Sequence, residues 1–186
     1  MLPISASQTV GPYFRLAYPN RGRDSMVKAD SAGPRITIDG VVKDGEGRVI
    51  DDALIEVWQA NADGVYAHPE DPRSPGADRT FDGYGRIGST EEGRFAFETV
   101  KPGSVPGPDG QPQAPHLLVG VYARGVLDRV ITRIYFDDEP LNAQDPILAL
   151  VPAARRSTLL ARRTGEGTYR FDVVLQGQDE TVFFDV

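Results

Sequence analysis

The stretch His116-Leu117-Leu118-Val119-Gly120-Val121-Tyr122-Ala123, followed by Arg124-Gly125, a short connection and Arg129-Val130-Ile131-Thr132-Arg133-Ile134-Tyr135-Phe136, reads as two strands joined by a turn. It opens with Ala114-Pro115-His116-Leu117-Leu118. In a strand, residues two apart share a face. A histidine pair at positions 116 and 118 would aim two imidazoles at one point, an arrangement suited to a transition metal. Position 118 is a leucine, with no lone pair to offer. The fold and the chemistry therefore turn on the same residues.

Outward from this pair, more strands follow. Ile36, Ile38 and Val42 alternate with Thr37 and Asp39, and the turn Asp44-Gly45-Glu46-Gly47 comes after them. Ala53, Ile55 and Val57 alternate with Leu54, Glu56 and Trp58. Phe95 and Phe97 mark a short strand, and Tyr169, Phe171, Val173 and Leu175 a last one. Two segments read as helix. Pro152 to Arg163 has an early proline, good helix formers and arginines in its final turn. Asn142 to Leu150 is interrupted by Pro146. Many short strands with few helices predict a mainly β chain, an antiparallel β-sandwich with one or two short helices and an N-terminal arm.

Composition narrows the function. The chain has 186 residues, a formal charge of −7, 20 glycines, 15 prolines and no cysteine. That length supports one domain with a substantial core, and the turn formers argue against a helical bundle. Net acidity argues against nucleic acid as a partner. Without cysteine there is no disulfide or thiolate zinc site, which suits a reducing cytoplasm. Met1-Leu2-Pro3-Ile4-Ser5 does not read as a signal peptide, and no apolar run approaches the roughly 20 residues of a membrane span.

Residues 1–33 stand apart as an arm, and 34–186 as the domain. The arm segment Ser7-Gln8-Thr9-Val10-Gly11-Pro12-Tyr13-Phe14 is too apolar for a solvated tail, so it is expected to pack against something. Tyr66 to Gly93, rich in Pro, Gly and Asp, reads as a long loop of the functional or interfacial kind. Gly103 to Pro115, with Gly107-Pro108-Asp109-Gly110, reads as plain loop.

Ser7 to Tyr13, Ala53-Leu54-Ile55-Glu56-Val57-Trp58-Gln59-Ala60-Asn61, Thr99-Val100-Lys101-Pro102-Gly103, Thr132 to Asp138, Tyr169-Arg170-Phe171-Asp172 and Gln176-Gly177 form an ordered series. In this order and spacing the chain resembles the intradiol ring-cleaving dioxygenases over nearly its whole length. The resemblance implies a non-haem ferric ion held by two tyrosines and two histidines. The first tyrosine matches Tyr66, and the second falls on Val105. The histidines fall on His116 and Leu118. A family arginine maps to Gln113 and a family glutamine beside the iron to Arg133. A cation there disfavours a ferric ion by repulsion. The pocket implied by the resemblance is dismantled in this chain.

The resemblance therefore implies a non-catalytic subunit, with no metal of its own, in a heteromer whose homologous β subunit carries Fe(III). The reaction implied is insertion of both atoms of O2 between the hydroxylated carbons of 3,4-dihydroxybenzoate (protocatechuate), giving 3-carboxy-cis,cis-muconate. Thr9, Gly11, Pro12 and Tyr13 match the segment that reaches toward the partner's pocket, where Gly11 and Pro12 let backbone approach an aromatic ring. Arg133 suits a substrate carboxylate. Its bland alternative is a cross-strand pair with Asp or Glu. His116 has a simpler reading as a satisfied core histidine, and Tyr66 as a neutral hydrogen-bonding phenol. Trp58 reads as packing. A rebuilt site from Tyr66, His68 and His116 is disfavoured by Pro69, which points to a loop. Two other functions compete: a homo-oligomeric dioxygenase with altered iron ligands, and a β-sandwich binding or assembly module without catechol chemistry.

Overall fold

The computed structural model describes residues 6–17, 24–107 and 110–185, leaving out the side chains at positions 12, 15 and 16. Met1 to Ser5, Pro108 and Asp109 lie outside the described residues. The strands are β1 (Arg35–Lys43), β2 (Leu54–Trp58), β3 (Tyr84–Gly88), β4 (Arg94–Val100), β5 (Val105–Pro106), β6 (Pro112–Gln113), β7 (Leu117–Tyr122), β8 (Val130–Phe136), β9 (Leu160–Gly165), β10 (Thr168–Arg170) and β11 (Val173–Val174). The α-helices are α1 (Pro12–Ala17) and α2 (Pro146–Leu150). None of the described helices is long and apolar enough to cross a membrane.

Apart from the β5–β6 hairpin, the strands form one sheet in the order β11-β1-β10-β9-β8-β7-β2-β3, with β4 on β1. The alternating Ile36 and Ile38 of β1 bury one face, and Phe95 and Phe97 of β4 meet them antiparallel, Ile38 opposite Phe97. Residues from β1, β2, β3, β4, β7, β8, β9, β10 and β11 all enter one core cluster. A sheet can do this only by curling around that core, and β3 and β4 come into contact where it nearly closes. A smaller cluster of Ala114, Tyr135, Leu148, Val151 and Leu159 lies under α2.

The expectation of an antiparallel sandwich holds in part. The chain is mainly β, but its strands run through one hydrogen-bonded path, and β1–β10, β1–β11 and β8–β9 are parallel. The last expected strand is broken in two. The Phe171 carbonyl crosses over Gly40, and the Asp172 carboxylate accepts from Val41 N–H at 3.1 Å in place of a backbone partner.

The helix expected over Pro152 to Arg163 does not form. Ala153–Leu159 is a 3-10 segment, and Leu160 onward is β9. Burial of Leu159 and Ala161, with pairing of Phe136 to Ala161, outweighs the local helix preference. In 142–150 the helix is shortened to α2. Asp145 is extended, as a residue before proline prefers, and caps the helix from there. The loop expected over Tyr66 to Gly93 contains β3, which Ile87 anchors in the core. Gly103 to Pro115 contains the β5–β6 hairpin, Val105 opposite Gln113.

Candidate functional site

Val57 and Val119 face the core, so their strand neighbours Trp58 and Leu118 face outward. Leu118 stands opposite Trp58 on one side and Arg133 on the other. This outer face is overhung by the loop after β2. Asn61 Oδ1 accepts from the N–H groups of Asp63 (3.0 Å) and Val65 (2.9 Å), and Gly64 takes φ +73° where a Cβ would meet the Ser104 carbonyl. The turn delivers Tyr66 onto Trp58, ring centroids 6.0 Å apart and planes within 7°. His68 meets Trp58 edge-on at 6.2 Å. A cleft of about 680 Å³ results, walled by Trp58, Tyr66, His68, Pro72, Val105 and Pro106 with Glu70, Asp71 and Arg73 among its polar lining.

Arg73 Nη2 donates to Asp71 Oδ2 at 2.9 Å, and this guanidinium holds the Asp71 carboxyl down at about 2. Asp71 Oδ2 also accepts from Tyr66 N–H, which fixes the backbone that carries the ring. Burial raises the Tyr66 phenol above its ordinary value, against the pull of Arg133 and Arg73.

Beside the cleft lies a polar cluster. Arg133 Nη1 donates to Gln113 Oε1 at 2.7 Å and to Tyr135 Oη at 3.3 Å. Tyr135 Oη donates to Asp145 Oδ1 at 3.1 Å, and Asp145 Oδ2 accepts from Ala114 N–H at 2.7 Å. His116 is buried, with Nδ1 2.7 Å from the Ala114 carbonyl and its ring 5.6 Å from that of Tyr135. Nδ1 is therefore the protonated nitrogen of the neutral ring. Burial first, and Arg133 second, lower the imidazole to about 4. Burial likewise raises the Tyr135 phenol. One neutral phenol thus bridges the Arg133 guanidinium and the Asp145 carboxylate.

The arm docks on the β7–β8 turn. Thr9 Oγ1 accepts from Gly125 N–H at 2.7 Å and lies 3.4 Å from the Ala123 carbonyl. Gly11 is exposed with nothing near its absent Cβ, and its carbonyl accepts from Phe14 N–H. The Phe14 ring meets Tyr122 at 5.6 Å. Tyr13 is exposed to 81%. Pro12 begins α1, and its side chain lies outside the description. Further along, Met26 is buried in the core and hydrogen-bonds Glu98 of β4, so this part of the arm extends the sheet edge.

A dioxygenase family model matches residues 10–177, most of the chain. The chain belongs to the intradiol dioxygenase family. It is 40% identical to the protocatechuate 3,4-dioxygenase alpha chain of Pseudomonas putida, covering all of this chain and 98% of that one. It is 35% identical to the beta chain of the Burkholderia cepacia enzyme, covering 96% of this chain and 78% of that one. Among solved structures, the dioxygenase domain of a dioxygenase carbohydrate-binding fusion from Streptomyces sp. SirexAA-E superposes with TM-score 0.63 at 29% identity, over 92% of this chain and 97% of that one.

The donor set of this intradiol dioxygenase chain does not fit a ferric ion. Val105 and Leu118 carry no lone pair, and a guanidinium sits in the cluster. Tyr66 and His116 remain as two donors, where stable sites generally use about three or more. His68 meets Trp58 edge-on in the cleft, while His116 is sealed beneath Tyr135. Among the described residues no group of three or more His, Cys, Asp or Glu is placed to hold a metal. Sequence reasoning missed Tyr135 and Asp145. The signal for Asp145 was present in Asp145-Pro146, a side-chain cap followed by a first-turn proline. Trp58, read as packing, is a wall of the cleft.

Proposed function

We propose that this chain is the iron-free α-type subunit of a heteromeric protocatechuate 3,4-dioxygenase, with Fe(III) and ring cleavage in a homologous β-type chain. Residues 1–33 form the arm, whose N-terminal end meets that partner, and 34–186 form the supporting domain. The observation that carries this reading is the replacement of two donor positions by Val105 and Leu118 in a chain that matches an α chain end to end. Thr9, Gly11, Pro12 and Tyr13 line the partner's substrate pocket. In support, Gly11 and Tyr13 are exposed while Thr9 is pinned to the β7–β8 turn, so the arm has a fixed root and a free edge. Arg133 steers the carboxylate of the aromatic substrate. In support, its described hydrogen bonds go to Gln113 and Tyr135, so that no carboxylate pairs with it directly among the described residues. The substrates are protocatechuate and O2, and the compartment is the cytoplasm.

Co-expression with a β-type chain tests the assignment. The expected product is one complex with equal amounts of both chains, iron equal to the β content, and protocatechuate cleavage only when both are present. Stoichiometric iron with a purple-red colour in this chain alone would sink it.

A further inference from the structure

We propose that Arg133 is the internal cation of the remnant pocket: it links the two positions that carry no donor and thereby keeps a metal ion out. The inference rests on the iron-free reading above and adds the residue that enforces it.

The geometry is specific. Arg133 is the direct cross-strand neighbour of Leu118, on the same face of the β7–β8 pair. Side chains so paired have Cβ atoms about 5 Å apart. The guanidinium then reaches Gln113 Oε1 at 2.7 Å, and Gln113 is the cross-strand neighbour of Val105 in the β5–β6 hairpin. One side chain thus joins the partner strand of Leu118 to the partner residue of Val105. Gln113 Nε2 turns to the Pro106 carbonyl at 3.4 Å, so the amide is oriented with its oxygen toward the cation.

The second bond of Nη1, to Tyr135 Oη, completes the arrangement. Tyr135 donates its own hydrogen bond to buried Asp145, whose carboxylate also accepts from the N–H groups of Ala114, Ile147 and Leu148. The guanidinium is balanced by one carboxylate through one phenol, and that carboxylate is committed to α2 and to Ala114. A second cation would find its oxygen donors already spoken for and a fixed positive charge beside it. Arg133 holds the hairpin to β8 without a metal, and the same charge bars one.

The test restores donors with and without the guanidinium. V105Y/L118H and V105Y/L118H/R133Q are each purified as the full chain and titrated with ferric iron, read by metal analysis and by visible tyrosinate-to-iron absorption. The expected result is one ferric ion per chain in the triple variant, and binding weaker on the order of 100-fold in the double variant. Equal iron in both, or iron in neither when circular dichroism shows both folded, overturns the proposal. Since three substitutions risk misfolding, R133Q alone gives an independent readout. Amide hydrogen exchange in the β5–β6 hairpin should quicken about tenfold or more with β1 and β10 unchanged. Unchanged exchange in the hairpin overturns the proposal. Iron in the unsubstituted chain would instead sink the proposed function, so the two failures are distinct.

Discussion

His116 shows how burial converts a metal-type side chain into a pH-sensitive structural one. Its imidazole is lowered from the ordinary 6.5 to about 4, by burial first and by Arg133 second. The native state therefore holds it neutral while the unfolded chain takes up a proton. Between about 6.5 and 4 the unfolded state binds more protons, so stability falls as pH drops through that window and levels off below it. The contribution is at most about 3 kcal/mol. His116→Asn should flatten the pH dependence of the urea midpoint between pH 6.5 and 4. An unchanged slope would show that the ring is not sealed as described. That Val105 and Leu118 carry no donor atom was legible in the sequence, because an aliphatic residue cannot ligate wherever it lies. The company kept by Arg133 was not. Gln113 comes from a hairpin that read as plain loop, and Tyr135 reaches Asp145 only once α2 has folded back over β8.

At the scale of elements, Asp145 joins three pieces of chain. It caps α2 through Ile147 and Leu148 at 2.9 and 2.6 Å, fixes Ala114 before β7, and takes the Tyr135 hydroxyl of β8. Asp145→Ala leaves buried donors unpaired and should cost about 3 kcal/mol in chemical denaturation. Asp145→Asn should recover part of that loss. The arm is a second element, whose N-terminal end is held on the β7–β8 turn by Thr9 and on β7 by Phe14. Deleting residues 1–12 removes Thr9 from Gly125 and should lower turnover of the complex more than it lowers the thermal midpoint of this chain alone. Equal turnover and assembly would remove the arm from the pocket. Strands with clean alternation, such as β1 and β2, were legible. The segment 152–163 was not, since its composition favours helix while Leu159 and Ala161 find their burial only by pairing with a strand more than twenty residues earlier. Local preference is worth tenths of a kcal/mol per residue, and burial of a leucine about 2 kcal/mol, so the tertiary contact wins.

For the whole molecule, β1 is the junction, with β4 on one edge and β10 and β11 on the other. Its Gly40 lies under the Phe171 carbonyl and the Phe95 ring, with no room for a Cβ. Gly40→Ala should therefore destabilise the fold by about 2 kcal/mol or more, seen as a lower thermal midpoint. A midpoint within a degree of the parent would show that the crossing relaxes cheaply. The mainly β class followed from strand count and turn composition. The curled single sheet did not, because parallel pairing between chain ends leaves no mark on local alternation. That pairing also governs how the protein is made. Val41 and Asp172 are 131 residues apart, yet they meet at the centre of the sheet. On the ribosome β1 emerges early and can dock on β4, but its other edge stays open until β10 and β11 clear the exit tunnel. The nascent chain carries an unpaired strand edge while more than 100 further residues are made, the kind of exposure that favours chaperone binding or early pairing with another chain.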